Sequence, residues 1–314
     1  MGKKVSIIGA GYVGSTIAYT LAVSGNASEI VLIDINESKA FGEAMDIRQG
    51  APYISPTTIY SGDYEDAKDS DVVIVTSGVA RRPGQSRLDL AQINVDISKS
   101  IIPKITRVAP NAVYIVVSNP VDILTYVFCK CSGLPAGQII GTGCLLDTAR
   151  FRSRLAENFS ISMQNVHGVV FGEHGDTSFI PWSLATISGI HVDTYARSRG
   201  LSVSGSGFDH EEIENYVRKS GATIIDAKGA TYYAVSLTVN HIVKCLNRGI
   251  DTALSLSSLM EGEYGIDDVC LSVLSIVGKG GIRGKLISPL TDEEIAKLHH
   301  SADTLKNVIS SLKI

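Results

Sequence analysis

Apolar residues in the first 120 positions gather in short unbroken runs instead of alternating with polar ones. Residues 4–9 form one such run, and 30–34 (Ile-Val-Leu-Ile-Asp), 72–76 and 113–118 repeat it. Between the first two, Gly11 to about Gly25 has helical periodicity. A strand written as continuous Val and Ile is covered on both faces, and helices between such strands supply the cover. The pattern predicts an α/β fold built on a doubly wound parallel sheet.

After about residue 143 the texture changes. Amphipathic stretches at 146–158, 209–228 and 230–248 predict helices, and apolar runs at 166–171 and 268–276 predict a pair of strands. A final helix is expected from Thr291 to about Leu312, because Thr291 and Glu294 have capping-box spacing. The chain divides on this basis into residues 1–142 and an α+β substrate domain over 143–314. Residues 200–207 are the one stretch of flexible composition.

Net charge is −4 over 314 residues, so no broad basic field points to nucleic acid, although a local basic pocket can still hold a small anion. The five cysteines, at 129, 131, 144, 245 and 270, are odd in number and lack metal or redox spacing. They predict reduced thiols in a cytoplasmic protein. No apolar run approaches membrane-spanning length, and no signal peptide is read. Met-Gly-Lys-Lys-Val-Ser formally fits a myristoylation pattern, but Val5 to Ile8 reads as a buried first strand and leaves no free arm. Histidines 191, 210, 241, 299 and 300 lack metal-ligand spacing, so no catalytic metal is expected.

Gly9-Ala-Gly11-Tyr-Val-Gly14 lies between the first strand and the first helix. Glycines there permit a tight turn and close approach of a pyrophosphate to the helix N-terminus. Asp34 closes the second strand, 20 residues after Gly14, where a carboxylate accepts from a ribose 2′-hydroxyl and repels a 2′-phosphate. The cofactor predicted on a Rossmann-type sheet of this kind is NAD.

Three further residues suggest proton transfer. His174 sits in Gly172-Glu173-His174-Gly175-Asp176 at the end of the Val166–Phe171 run, and Asp147 and Arg150 share a helix face three residues apart. The competing readings are a satisfied core histidine and a local ion pair on a solvated helix.

At this point the chain resembles the L-lactate/malate dehydrogenase family from end to end. The motifs that carry the resemblance are Gly-Ala-Gly-Tyr-Val-Gly, Pro83-Gly84-Gln85-Ser86-Arg87, Ser118-Asn119-Pro120-Val121-Asp122, Leu146-Asp147-Thr148-Ala149-Arg150-Phe151 and Gly-Glu-His-Gly-Asp. The resemblance implies that His174 takes the hydroxyl proton as hydride leaves C2, and that Asp147 orients the imidazole and stabilises its charged form. It implies that Arg150 grips the substrate carboxylate with its planar fork. Arg87 would close over the substrate on the loop from Gly78 to about Leu88, polarising the carbonyl. Asn119 would bridge nicotinamide and substrate, with a cis bond to Pro120. The family also suggests a homo-oligomer, a tetramer or a dimer.

The choice of 2-hydroxy acid divides the evidence within the chain. In this family the position aligned with Arg81 is usually Gln in lactate enzymes and Arg in malate enzymes. A buried Arg81 paired with a second substrate carboxylate would gain roughly 1.5–3 kcal/mol, about tenfold to a hundredfold in preference. Arg81 therefore favours malate/oxaloacetate, unless it points outward beside Arg82. Glu173 and Thr231 follow the lactate pattern, and the rest of the scaffold favours lactate/pyruvate; because direct contact with the substrate outweighs general likeness, malate/oxaloacetate is the preferred reading by a small margin and lactate/pyruvate the alternative. A non-catalytic NAD-binding protein is the alternative of a different class.

Arg152 and His167 match the arginine and histidine that hold a sugar bisphosphate in activated bacterial lactate enzymes. They read either as an allosteric anion site across a two-fold axis or as structural interface residues.

Overall fold

The unbroken apolar runs become parallel strands whose side chains are buried on both faces. The computed structural model describes residues 3–79, 86–201, 203 and 208–314, apart from the Arg87 side chain. Arg81, Pro83-Gly84-Gln85, residue 202 and residues 204–207 lie outside the described residues.

The first half reads β1 (Lys4–Ile8), α1 (Tyr12–Ser24), β2 (Glu29–Ile33), α2 (Glu37–Gln49), β3 (Thr58–Ser61), β4 (Val72–Val75), α3 (Arg87–Val108), β5 (Val113–Val116), α4 (Val121–Cys131) and β6 (Ile139–Gly141). The strands lie side by side as β3-β2-β1-β4-β5-β6, all parallel. Val5 faces Ile30 on one side and Val72 on the other. Every residue of β4 and β5 is buried, each large apolar side chain contributing roughly 1.5–3 kcal/mol when fully removed from water. Chain direction away from β1 reverses between β1 and β4, which opens a crevice beyond their carboxyl ends.

The second half reads α5 (Leu145–Phe159), β7 (Val166–His167), β8 (Thr186–Ile187), β9 (Ile190–His191), α6 (Val192–Ser198), α7 (His210–Lys228), α8 (Tyr233–Arg248), β10 (Thr252–Glu261), β11 (Asp267–Gly278), β12 (Gly281–Lys285) and α9 (Asp292–Ser310). β10, β11 and β12 form an antiparallel meander that extends the parallel sheet. The junction is one register pair, Ser257 on β10 opposite Gly141 on β6. A methyl group at Gly141 would lie 2.3 Å from Thr125 Oγ1 and 2.8 Å from Ser257 Cβ, so the two backbones close up because neither side chain takes space.

Two expectations are corrected. The runs 166–171 and 268–276 do not form one strand pair. The second lies in β11, between β10 and β12, while the first starts β7, which pairs with β8. Among the described residues, the backbone bridge between the two regions is an isolated one, from Gly172, just past the first run, to Ser272. The helix expected at 230–248 begins at Tyr233, because Gly229 ends α7 with φ +86° and the chain turns before α8. The Thr291 cap and its reciprocal bond with Glu294 are present as expected.

Candidate active site

The crevice begins at Gly9, whose φ of +109° suits a residue without a side chain. A Cβ at Gly14 would lie 1.9 Å from the Gly9 carbonyl oxygen, so α1 can pack against the turn only as glycine. Gly11 differs: a Cβ there would meet nothing within 4 Å. Gly11 is also the N-cap of α1, with no side-chain cap bond and no acidic residue in the first turn. An open approach to uncapped helix N–H groups suits a pyrophosphate. At the end of β2, Asp34 Oδ2 accepts from the Ala10 backbone N–H at 2.6 Å and Oδ1 accepts from Asn36 N–H at 2.8 Å. The acid is thereby fixed beside the turn with lone pairs to spare for ribose hydroxyls. These residues fit NAD.

Asn119 follows β5, with its side chain exposed and a cis bond to Pro120, as expected. Asn94 Nδ2 donates to the Asn119 carbonyl at 2.7 Å, and Ser118 Oγ donates to the Ser77 carbonyl at 2.7 Å. Thr231 lies in the turn between α7 and α8. Its neighbour Tyr232 stacks on Tyr12 at 5.6 Å, which brings that turn to the head of α1. Arg87 is the first residue of α3, behind the Ser86 cap and its reciprocal bond with Asp89.

His174 occupies a turn held from four sides. The Val170 N–H donates to Thr148 Oγ1 of α5 at 2.9 Å. Gly172 exchanges backbone bonds with Ser272 of β11 at 2.9 and 3.0 Å. The Glu173 N–H donates to Ser301 Oγ of α9 at 2.7 Å, and the His174 N–H donates to Asp122 Oδ2 of α4 at 2.7 Å. Gly172 has φ +91°, and a Cβ there would meet Ser301 Oγ at 2.8 Å.

Asp147, Arg150 and His174 come together as predicted. Asp147 is buried in the first turn of α5. Its Oδ2 lies 2.5 Å from His174 Nδ1, and its Oδ1 accepts from Arg150 Nη1 at 2.8 Å. A quarter of the His174 side chain is exposed, so the imidazole is anchored on one side and open on the other. The Asp147 charge raises the His174 pKa to about 9, against burial; the Asp147 hydrogen bond and the Asp122 charge add to the rise, and Arg150 subtracts from it. Burial pushes Asp147 up, but the charge and hydrogen bonds of His174 and Arg150 outweigh it and hold the acid below its ordinary value.

Arg152 turns to the opposite side of α5 and donates from Nε to the Gly168 carbonyl at 3.0 Å, next to the exposed His167. It also borders a largely apolar cavity of about 640 Å³ that His241 lines as well.

Two groups in this neighbourhood had no role assigned from sequence. Gly221, within α7, lies so near Arg150 that a Cβ would touch its guanidinium at 3.5 Å. Asp122 is 3% exposed and carries the acceptor for the His174 backbone. A lone carboxylate in the apolar run Val121-Asp122-Ile123-Leu124 was the available signal.

A buried carboxylate that both orients a histidine and holds an arginine, behind a dinucleotide turn, is the chemistry of an NAD-dependent 2-hydroxy acid dehydrogenase. The family model for the lactate/malate dehydrogenase NAD-binding domain matches residues 3–141, and that for the α/β C-terminal domain matches 144–313. The chain belongs to the lactate/malate dehydrogenase family. It is 48% identical over 312 residues to the L-lactate dehydrogenase of Thermoanaerobacterium saccharolyticum, covering 99% of this chain and 100% of that one. It is also 48% identical over 312 residues to that of Acetivibrio thermocellus, covering 99% and 98%. The crystal structure of the ligand-bound minor L-lactate dehydrogenase from Enterococcus mundtii superposes with a TM-score of 0.95 at 37% identity, covering 100% of this chain and 99% of that one. These relatives bear the lactate name, which agrees with the reading from the scaffold better than with the malate preference drawn from Arg81.

Proposed function

We propose that the protein interconverts L-lactate and pyruvate, with residues 1–142 as the cofactor-binding domain and 143–314 as the substrate domain. The observation that carries the reaction is the Asp147 carboxylate shared between His174 and Arg150. Gly9, Gly11, Gly14 and Asp34 would hold NAD, which would supply the hydride acceptor. His174 Nε2, on the open side of the ring, takes the C2 hydroxyl proton in oxidation and returns it in reduction. Asp147 keeps the proton on Nδ1 and stabilises the imidazolium. Arg150 binds the carboxylate, Asn119 spans substrate and nicotinamide, Thr231 borders the substrate, and Arg87 polarises the carbonyl. Glu173 and Thr231, with the lactate enzymes among its relatives, favour lactate.

Malate/oxaloacetate stands as the second reading because of Arg81 alone. A comparison of kcat/KM for pyruvate and oxaloacetate with NADH decides between them, in wild type and in Arg81→Gln. Pyruvate is expected to win; a higher value for oxaloacetate in wild type sinks the lactate reading.

The reading extends to a cytoplasmic homo-oligomer, a tetramer in preference to a dimer, with an anion such as a sugar bisphosphate bound at Arg152 and His167. The cationic surroundings support it: after burial, the charges of Lys244, Arg152 and Arg248 lower the pKa of His241 beside Arg152. An Arg152→Gln variant should lose any response of pyruvate saturation to fructose 1,6-bisphosphate. A wild-type curve indifferent to it removes the site.

A further inference from the structure

Asp122 is the buried charge that the proton-transfer scheme leaves unused. It stands in the first turn of α4, and one oxygen accepts the His174 backbone N–H at 2.7 Å. The other oxygen and the neighbouring Ser257 Oγ are both buried without a well-formed hydrogen bond among the described residues. If the only task were to accept one N–H, a neutral amide or hydroxyl would do it without the cost of burying a charge.

From this arrangement we infer that Asp122 is a positioning residue for proton transfer: it fixes the backbone of His174 and adds a second negative charge that stabilises the imidazolium. The inference rests on His174 being the proton carrier. Among the described residues, the charges that act most on His174 are Asp147 and Arg150 from α5 and Asp122 from α4. Among these four described groups, Asp122 and Asp147 offset protonated His174 and Arg150; once His174 loses its proton, one negative charge is left over. Asp122 in turn faces His174 and Glu173, and the buried Cys144 and Cys270 thiols nearby have pKa values raised well above the ordinary range by burial, so both stay neutral. Burial raises Asp122 itself to about 6, against the Ser257 hydroxyl, the His174 N–H and the His174 charge, with Glu173 adding to the rise. Above that pH it carries its charge through the whole range in which His174 titrates.

The test is the pH profile of kcat/KM for pyruvate reduction and lactate oxidation by Asp122→Asn, with thermal unfolding measured alongside. The basic limb of reduction and the acidic limb of oxidation should both move down by about 0.5–1 pH unit, because removing an opposite charge lowers the affinity of His174 for its proton. Asp122→Ser, neutral and smaller, repeats the measurement if the amide disturbs packing. Limbs unmoved in a variant that keeps wild-type unfolding overturn the inference. Failure of both variants to fold overturns it too, since Asp122 would then be needed for structure alone. His174→Gln separates the two levels. Turnover retained there removes His174 as proton carrier, whereas a wild-type limb that vanishes with His174 but ignores Asp122 removes only the positioning residue.

Discussion

The backbone N–H of Ala10 donates to Asp34 Oδ2 across 2.6 Å, joining the glycine turn after β1 to the acid that ends β2. The bond holds a negative charge where the adenosine ribose of NAD would lie. In Asp34→Asn the amide oxygen can keep the Ala10 bond while the charge is lost. The ratio of kcat/KM for NADH over NADPH should fall by about tenfold or more, as expected when a hydrogen bond to a charged group worth roughly 1.5–3 kcal/mol is weakened and the repulsion of a 2′-phosphate is removed. An unchanged ratio shows that Asp34 does not select the cofactor.

Gly11 and Gly14 separate binding from folding. Gly11→Ala places a methyl group in open space at backbone angles alanine adopts readily, so stability should fall by at most about 1 kcal/mol. Titration of NADH by fluorescence should nevertheless show weaker binding, by about tenfold. Gly14→Ala drives a methyl group into the Gly9 carbonyl and should cost about 3 kcal/mol or more in urea unfolding. Equal stability losses in the two variants contradict this assignment.

The Asp147–His174 pair sets a direction for pH. His174 has its pKa raised to about 9 in the folded protein, above its ordinary 6.5. Pyruvate reduction, which needs the charged ring, should fall as pH rises through about 9, and lactate oxidation should rise over the same interval. The stability contributed by the pair is fully present below pH 6.5 and is lost as pH climbs through about 9. In Asp147→Asn the basic limb of reduction should drop by more than one unit, with kcat/KM reduced at least a hundredfold.

Phe151 fills the space left by Gly168 and meets the edge of Trp182 at 5.5 Å between ring centres. Its side chain is fully buried one residue from Arg150. Phe151→Ala should cost about 3–5 kcal/mol. Trp182 is the one tryptophan in the chain, so its emission reports the loss of that contact directly. Wild-type emission and stability would show that the site tolerates the gap.

The parallel half of the sheet was readable because strands buried on both faces have a distinctive composition. The antiparallel half was not, for an identifiable reason. β10 runs Leu254-Ser255-Leu256-Ser257-Ser258, and Ser255, Ser257 and Ser258 are buried. Interior serines mimic a solvated face, and the strand went unrecognised. His174, Asp147 and Arg150 were legible because residue type and spacing carry their chemistry. Asp122 has no task legible in its motif, since its partner is a backbone N–H 52 residues away and side-chain patterns are silent about such contacts. Arg81 showed the opposite limit, as one charged position was set against the rest of a consistent pocket.

The pairing of Ser257 with Gly141 also bears on recombination. Gly143, two residues on, would put a Cβ 2.3 Å from Ser272 Oγ and 2.5 Å from the Ser257 backbone nitrogen. Thr125, Gly141, Gly143, Ser257 and Ser272 thus meet along a seam without room for one more methyl group. A chimaera that joins residues 1–142 of this chain to the second half of a relative inherits Gly141 from one parent and its facing residues from the other. Such hybrids should assemble only when the donor is equally small at 257, however similar the two parents are elsewhere.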